Sequence, residues 1–132
     1  MKDFILYLWQ LPQNLLGLLV IAFTKAEKKG EVYVADGYRF GVSLGNYIIF
    51  GGFFNSADGQ HERGHQKQSL YLGPLYLLLI GIPSILGNLW DRLFHSKWAP
   101  AKREKWYYSL IWEAWADKLG HVRRFIKGDK NA

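Results

Sequence analysis

His61-Glu62-Arg63-Gly64-His65 decides how the rest of this 132-residue chain is read. If the pentapeptide is helical, its two imidazoles lie one turn apart on a single face, where both can reach one metal ion. Glu62 points to the adjoining face, placed to hold a water on such an ion and to take its proton. The bland alternative is that 60–68 is a polar, solvated helix in which two of the four histidines fall four apart. Just upstream, Gly51-Gly52 and 55–59 read as a flexible lead, with Ser56 or Asp58 capping a metal-binding helix over 58–72.

A catalytic zinc takes three protein ligands and keeps a fourth position open. The chain has no cysteine, so the donors must be nitrogen and oxygen. With two ligands on one helix the third comes from elsewhere, and Trp112-Glu113-Ala114-Trp115-Ala116-Asp117 supplies a candidate. Glu113 is read as the carboxylate ligand, on a helix over 105–120. Asp117, one turn along the same face, is read as the acceptor that orients a histidine N–H and fixes its tautomer. His95 and His121 are the alternative third ligands, read without a supporting acid at helical spacing. The metzincin pattern, with a histidine six residues after the second one, is excluded: that place is Tyr71, and Gln68 stands where its glycine would be. Tyr107 or Tyr108, one to two turns before Glu113, is placed to donate to the oxyanion of a tetrahedral intermediate. The commoner role of such tyrosines is packing.

H-E-x-x-H followed by E-x-x-A-D, here His61 to His65 and Glu113 to Asp117, resembles the gluzincins. Within them it resembles the membrane-bound peptidases that include the CAAX prenyl peptidases and their bacterial heat-shock relatives. The longer string, adding Gln68 to Leu77, Gly81 to Ser84 and Trp115 to Gly120, is similar to a group of small bacterial proteins without an assigned substrate. The gluzincin resemblance implies zinc held by His61, His65 and Glu113, Glu62 as general base, Asp117 in support, and a peptide bond as substrate. Those peptidases are much larger, and the chain departs from them in the apolar insert between its ligands.

Around these motifs the chain is apolar and basic. The length allows one domain. Six tryptophans and eight tyrosines favour the membrane–water boundary, where ring and polar tip are both satisfied. A net charge of +6 suits anionic lipid, and no nucleic-acid-binding signature accompanies it. The run from Phe4 to Phe23 is long enough for a membrane anchor helix within 1–24; Gln10, Gln13 and Asn14 share one face, and Pro12 loosens it. Lys25 to Gly30 reads as a basic turn. Three strands over 31–35, 38–43 and 47–50, joined by hairpin turns at Asp36-Gly37 and Leu44-Gly45-Asn46, form a small antiparallel sheet within 31–53. An edge strand of that sheet can hold an extended peptide by backbone pairing.

The second apolar stretch, over 73–91, reads as re-entrant or interfacial, its turns at Gly73-Pro74, Gly81, Pro83 and Gly87. A straight crossing would carry the chain about 30 Å from His65 and separate the basic segments. The tail with Arg123, Arg124, Lys127 and Lys130 reads as a frayed cytoplasmic end. The expectation is a mainly helical α+β domain. It is a membrane-associated zinc metallopeptidase with its site at the cytoplasmic face, acting on a peptide or protein. The competing classes are a membrane protein with a structural or inactive zinc site, and a small basic lipid-binding protein without metal.

Overall fold

A computed structural model describes residues 2–52 and 55–122; the basic tail from Arg123 lies outside them. The fold is α+β and mainly helical. Two short helices, α1 (Lys2–Trp9) and α2 (Leu11–Thr24), come first. They meet at 88°, so the expected single anchor helix is two. Pro12 is the cause: it has no N–H to donate and belongs in the first turn of a helix, where none is needed.

Four strands follow: β1 (Glu27–Lys29), β2 (Val32–Val34), β3 (Phe40–Leu44) and β4 (Tyr47–Gly51), in the order β1-β2-β4-β3. The turn at Gly45-Asn46 joins β3 to β4 as expected, with Gly45 at φ 65°. The rest of the sheet differs from the expectation. The stretch read as a basic turn carries strand β1, paired with β2 around Gly30. Asp36-Gly37 is not a hairpin turn, because β2 runs parallel to β4 and the chain crosses to the far side of β4 before starting β3. The reason is burial: Ile48, Ile49 and Phe50 of β4 are all buried, and a β2–β3 hairpin would have left this most apolar strand on an edge.

Helix α3 (Ser56–Leu72) carries the pentapeptide. Its cap is Asn55 rather than Ser56 or Asp58: the Asn55 side chain accepts from the Asp58 backbone, and the Asp58 carboxylate accepts from the Asn55 backbone. The chain then passes through a 3-10 turn (Gly73–Leu75) and a π turn (Leu77–Gly81) into α4 (Ile82–Phe94). Of the two readings of 73–91, a dip and return inside the stretch does not occur, since Leu77–Phe94 is one continuous helical run, while the interfacial reading is untouched by this. Pro83 sits in the first turn of α4, and Gly87 makes room for Leu110 rather than breaking the helix. The return is made instead by α5 (Pro100–Ser109), which runs back along α4 through the Asp91–Arg103 and Asn88–Tyr107 contacts. The stretch expected as one helix over 105–120 is broken at Leu110, where ψ is 138°, so Glu113 and Asp117 lie on a separate α6 (Ile111–Leu119).

Among the described residues, buried polar side chains outnumber buried apolar ones, while leucines, isoleucines and phenylalanines of α1, α2 and α4 stand exposed. A polar seam docks the N-terminal helices onto α3. Gln13 donates to Ser69 Oγ and to the Gly73 carbonyl, both at 2.8 Å, and Ser69 donates to Gln10. The Asn14 side chain accepts from the Asn46 backbone at 2.7 Å.

Candidate metal centre

Helices α3 and α6 touch backbone to backbone, and this contact assembles the site. A Cβ on Gly64 would lie 1.8 Å from the Ala116 carbonyl oxygen, and one on Gly120 would lie 1.9 Å from that of Gln60. Only glycine fits at either place. Gly64 lies between the two histidines and Ala116 between the two acids, so the closest approach of the helices falls at the level of the donors. Lys67 Nζ donates to the Leu119 carbonyl and ties the far end of α6 to α3.

The three residues read as ligands converge. The donor atoms of His61, His65 and Glu113 lie within 4.8 Å of one another, and all three side chains are buried. Glu113 Oε2 is 2.8 Å from His61 Nε2 and 3.1 Å from His65 Nε2. Two donors at about 2.0–2.1 Å from a tetrahedral ion are roughly 3.3 Å apart, so an opening of a few tenths of an ångström admits one. The Nδ1 edge of each imidazole is held from behind. Asp117 Oδ1 is 2.7 Å from His61 Nδ1, the role expected of it, and Gln68 Oε1 is 2.6 Å from His65 Nδ1. Both contacts select the tautomer that presents Nε2 to the common point. Two nitrogens and one carboxylate oxygen, with fixed tautomers and no thiolate, form a donor set that fits zinc.

The other oxygen of Glu113 is bound by two hydroxyls, Ser84 Oγ at 2.5 Å and Tyr107 OH at 3.0 Å. Tyr107 is therefore committed to the ligand carboxylate and also accepts from Asn88, rather than facing a substrate as an oxyanion donor. Tyr108 packs edge-on against the His61 ring, 5.0 Å between centroids. His95 does have an acid at helical spacing, contrary to the sequence reading: Asp91 Oδ1 is 3.0 Å from its Nδ1. That pair belongs to the α4–α5 turn, where Trp98 stacks on His95 at 3.6 Å. Neither His95 nor His121 joins the cluster. Gln68 and Ser84 were missed as supports. The i+3 spacing of Gln68 from His65 could have revealed the first, but nothing local points to the second.

The charges follow from this packing. Burial pushes Glu113 up, but hydrogen bonds from His61, His65 and Ser84 outweigh it and hold the carboxyl below its ordinary range. Burial alone would lower His61, yet its bonds to Asp117 and Glu113 raise it to about 9. Glu62 moves the other way for a carboxylate. It is buried, its Oε2 has no hydrogen-bond partner, and desolvation raises it against the pull of the His65 and His61 charges. Its Oε1 lies 3.6 Å from the place of a Cβ on Gly41, so β3, one of the two edge strands of the sheet, passes beside it. Comparison with protein-family models, with curated proteins and with solved structures finds no match to this chain.

Proposed function

We propose that this chain is a metal-dependent hydrolase of the peptide bond, acting at a membrane surface. The observation that carries the reading is the meeting of His61, His65 and Glu113 from two helices, each with its own support, beside a buried carboxylate that has an unpaired oxygen. A bound zinc ion would supply Lewis acidity toward the carbonyl and lower the pKa of a water.

The chain's own residues account for the remainder. Glu62, raised by burial, takes the proton as water adds to the carbonyl carbon and passes it to the departing amine, leaving a carboxylate and an amine. Asp117 and Gln68 keep both imidazoles in the tautomer that leaves Nε2 for the ion. Ser84 and Tyr107 hold the Glu113 carboxylate in orientation. The outer edge of β3 offers backbone groups to an extended peptide, and one paired there runs past Glu62 at Gly41. Lipid is the partner that suits an exposed face of leucine, isoleucine and phenylalanine beside a net positive charge, and the basic segments favour the cytoplasmic side.

A second reading has one observation in its favour: every donor is buried, which also suits an ion held only for structure. The two part at Glu62. Elemental analysis of the purified protein, followed by hydrolysis assays on a peptide library, tests them with the Glu62→Gln variant. Metal retained and hydrolysis reduced by about 10²–10⁴-fold is the result expected of the enzyme. A metal-loaded parent that cleaves nothing hands the site to the structural reading.

A further inference from the structure

We infer that the protein sits in a single leaflet, with α4 lying along the bilayer surface instead of crossing it, so that the metal site stands at headgroup depth. The inference rests on the reading that lipid covers the apolar surface.

Three lengths and one neighbour carry it. α2 has 14 residues, about 21 Å of helix against the roughly 30 Å of a hydrocarbon core. α1 is shorter still and turns away at 88°, so the pair does not add up to a crossing. Among the described residues, the 18-residue run Leu77–Phe94 is the one unbroken helix long and apolar enough. Its surroundings forbid the crossing. Ser84, Gly87, Asn88, Asp91 and His95 form one face of α4, and they meet Glu113, Leu110, Tyr107, Arg103 and Trp106 in turn. From Ser84 to His95, about 16 Å of axis, α4 is thus flanked by α5 and the start of α6. That flank carries Lys102, Glu104 and Lys105, all exposed. A crossing helix would drag these charges into hydrocarbon, where they have no water.

Laid flat, α4 resolves the conflict. Its opposite face, Ile82, Ile85, Leu86, Leu89 and Leu93, is exposed and points into lipid, while α5 stays on the water side. The apolar surface continues onto α1 and the end of α3, since exposed Trp9 donates to the Leu70 carbonyl and lies against Gly73. At the end of α4, Lys102 Nζ lies 4.1 Å from the Trp98 ring, and Arg92 and Lys97 fall in the same stretch of sequence. A tryptophan with a lysine over its face suits the phosphate level of an anionic bilayer. Because Ser84 touches Glu113, the metal site lies about one helix diameter, roughly 10 Å, above the lipid-facing side of α4.

The native chain has no cysteine, so single-cysteine labelling is unambiguous. Full-length Lys29→Cys and Lys97→Cys proteins are added to preformed sealed vesicles of phosphatidylcholine with phosphatidylglycerol, floated, and treated with a membrane-impermeant maleimide. The expected result is flotation of both, with both fully labelled before permeabilisation. A crossing α4 would put the two positions on opposite sides, and one would label only after detergent; that result overturns the inference. So does a protein that stays in the aqueous fraction as a self-associated species, which would make the apolar face a protein interface. Leu89→Lys should lower vesicle partitioning about tenfold at unchanged metal content, and an unchanged partition counts against the flat α4. Metal content and hydrolysis are measured on the same samples. A one-sided protein that holds no metal sinks the proposed activity and leaves this topology standing.

Discussion

Replacing Gly64 with alanine adds one methyl group at the place where the two ligand-bearing helices touch. The new Cβ would lie 1.8 Å from the Ala116 carbonyl oxygen and 2.6 Å from its carbon. A carbon–oxygen contact needs about 3.3 Å, so α3 and α6 must part by roughly 1.5 Å at that level. Neither atom belongs to a side chain that could swing aside. The displacement falls on donors now 2.8 and 3.1 Å apart, whereas metal–ligand distances tolerate only about ±0.2 Å. Overpacking costs about 1–3 kcal/mol, offset by the roughly 1 kcal/mol that alanine gains over glycine in a helix. The fold therefore survives, while affinity for zinc falls by at least about 100-fold, beyond the effect of losing an outer support. Competition with a chromophoric chelator measures the affinity, and far-ultraviolet circular dichroism the helix content. Gly59→Ala is the control, because it lies on the same helix with nothing within 4 Å of its Cβ position, and it should leave metal binding unchanged. A folded Gly64→Ala protein that binds zinc as tightly as the parent would refute the reasoning.

Gln68→Ala removes the hydrogen bond that orients His65 and should weaken zinc binding about 10–100-fold at unchanged stoichiometry, read by the same competition assay. In the metal-free protein the His61 value of about 9 lies above its ordinary 6.5, so its partners stabilise the fold fully below pH 6.5, and that contribution is lost as pH rises through 9. Its amplitude is on the order of 3 kcal/mol, and denaturant unfolding with chelator at about pH 6 and about pH 9.5 should show it. Zinc must displace the same proton, so metal affinity should run the other way and rise with pH over that window. Gln13→Leu leaves the Gly73 carbonyl without its side-chain donor in the buried seam and should cost about 1–3 kcal/mol in detergent unfolding, with metal stoichiometry intact.

What could be read from the sequence was what a single helical turn determines. His61 and His65 at i, i+4, and Glu113 and Asp117 at i, i+4, share a face wherever the helices go, so both pairs could be named from spacing, and the structure brings the donors of His61, His65 and Glu113 within 4.8 Å of one another. Pro12 marked a break, but the 88° angle depends on what Gln10, Gln13 and Asn14 dock against, which is distant in the chain. Asp36-Gly37 carried a strong turn signal and still did not make a hairpin, because the burial of Ile48 to Phe50 drew a strand to each side of β4. Ser84 reaches Glu113 only because α5 returns along α4, a tertiary fact with no local trace. Gly64 looked like an unremarked filler in the motif, and only its contact with Ala116 shows why a side chain there is forbidden.

The central claim is that His61, His65 and Glu113 hold one ion together, and X-ray absorption at the zinc edge of stoichiometrically loaded protein tests it most directly. The account predicts one zinc per chain, two imidazole nitrogens at about 2.0 Å with oxygen in the remaining positions and no sulfur, and a shell that loses an oxygen donor in Glu113→Ala. Binding well below one ion per chain, a shell with more than two imidazoles, or a spectrum unchanged by Glu113→Ala would contradict it.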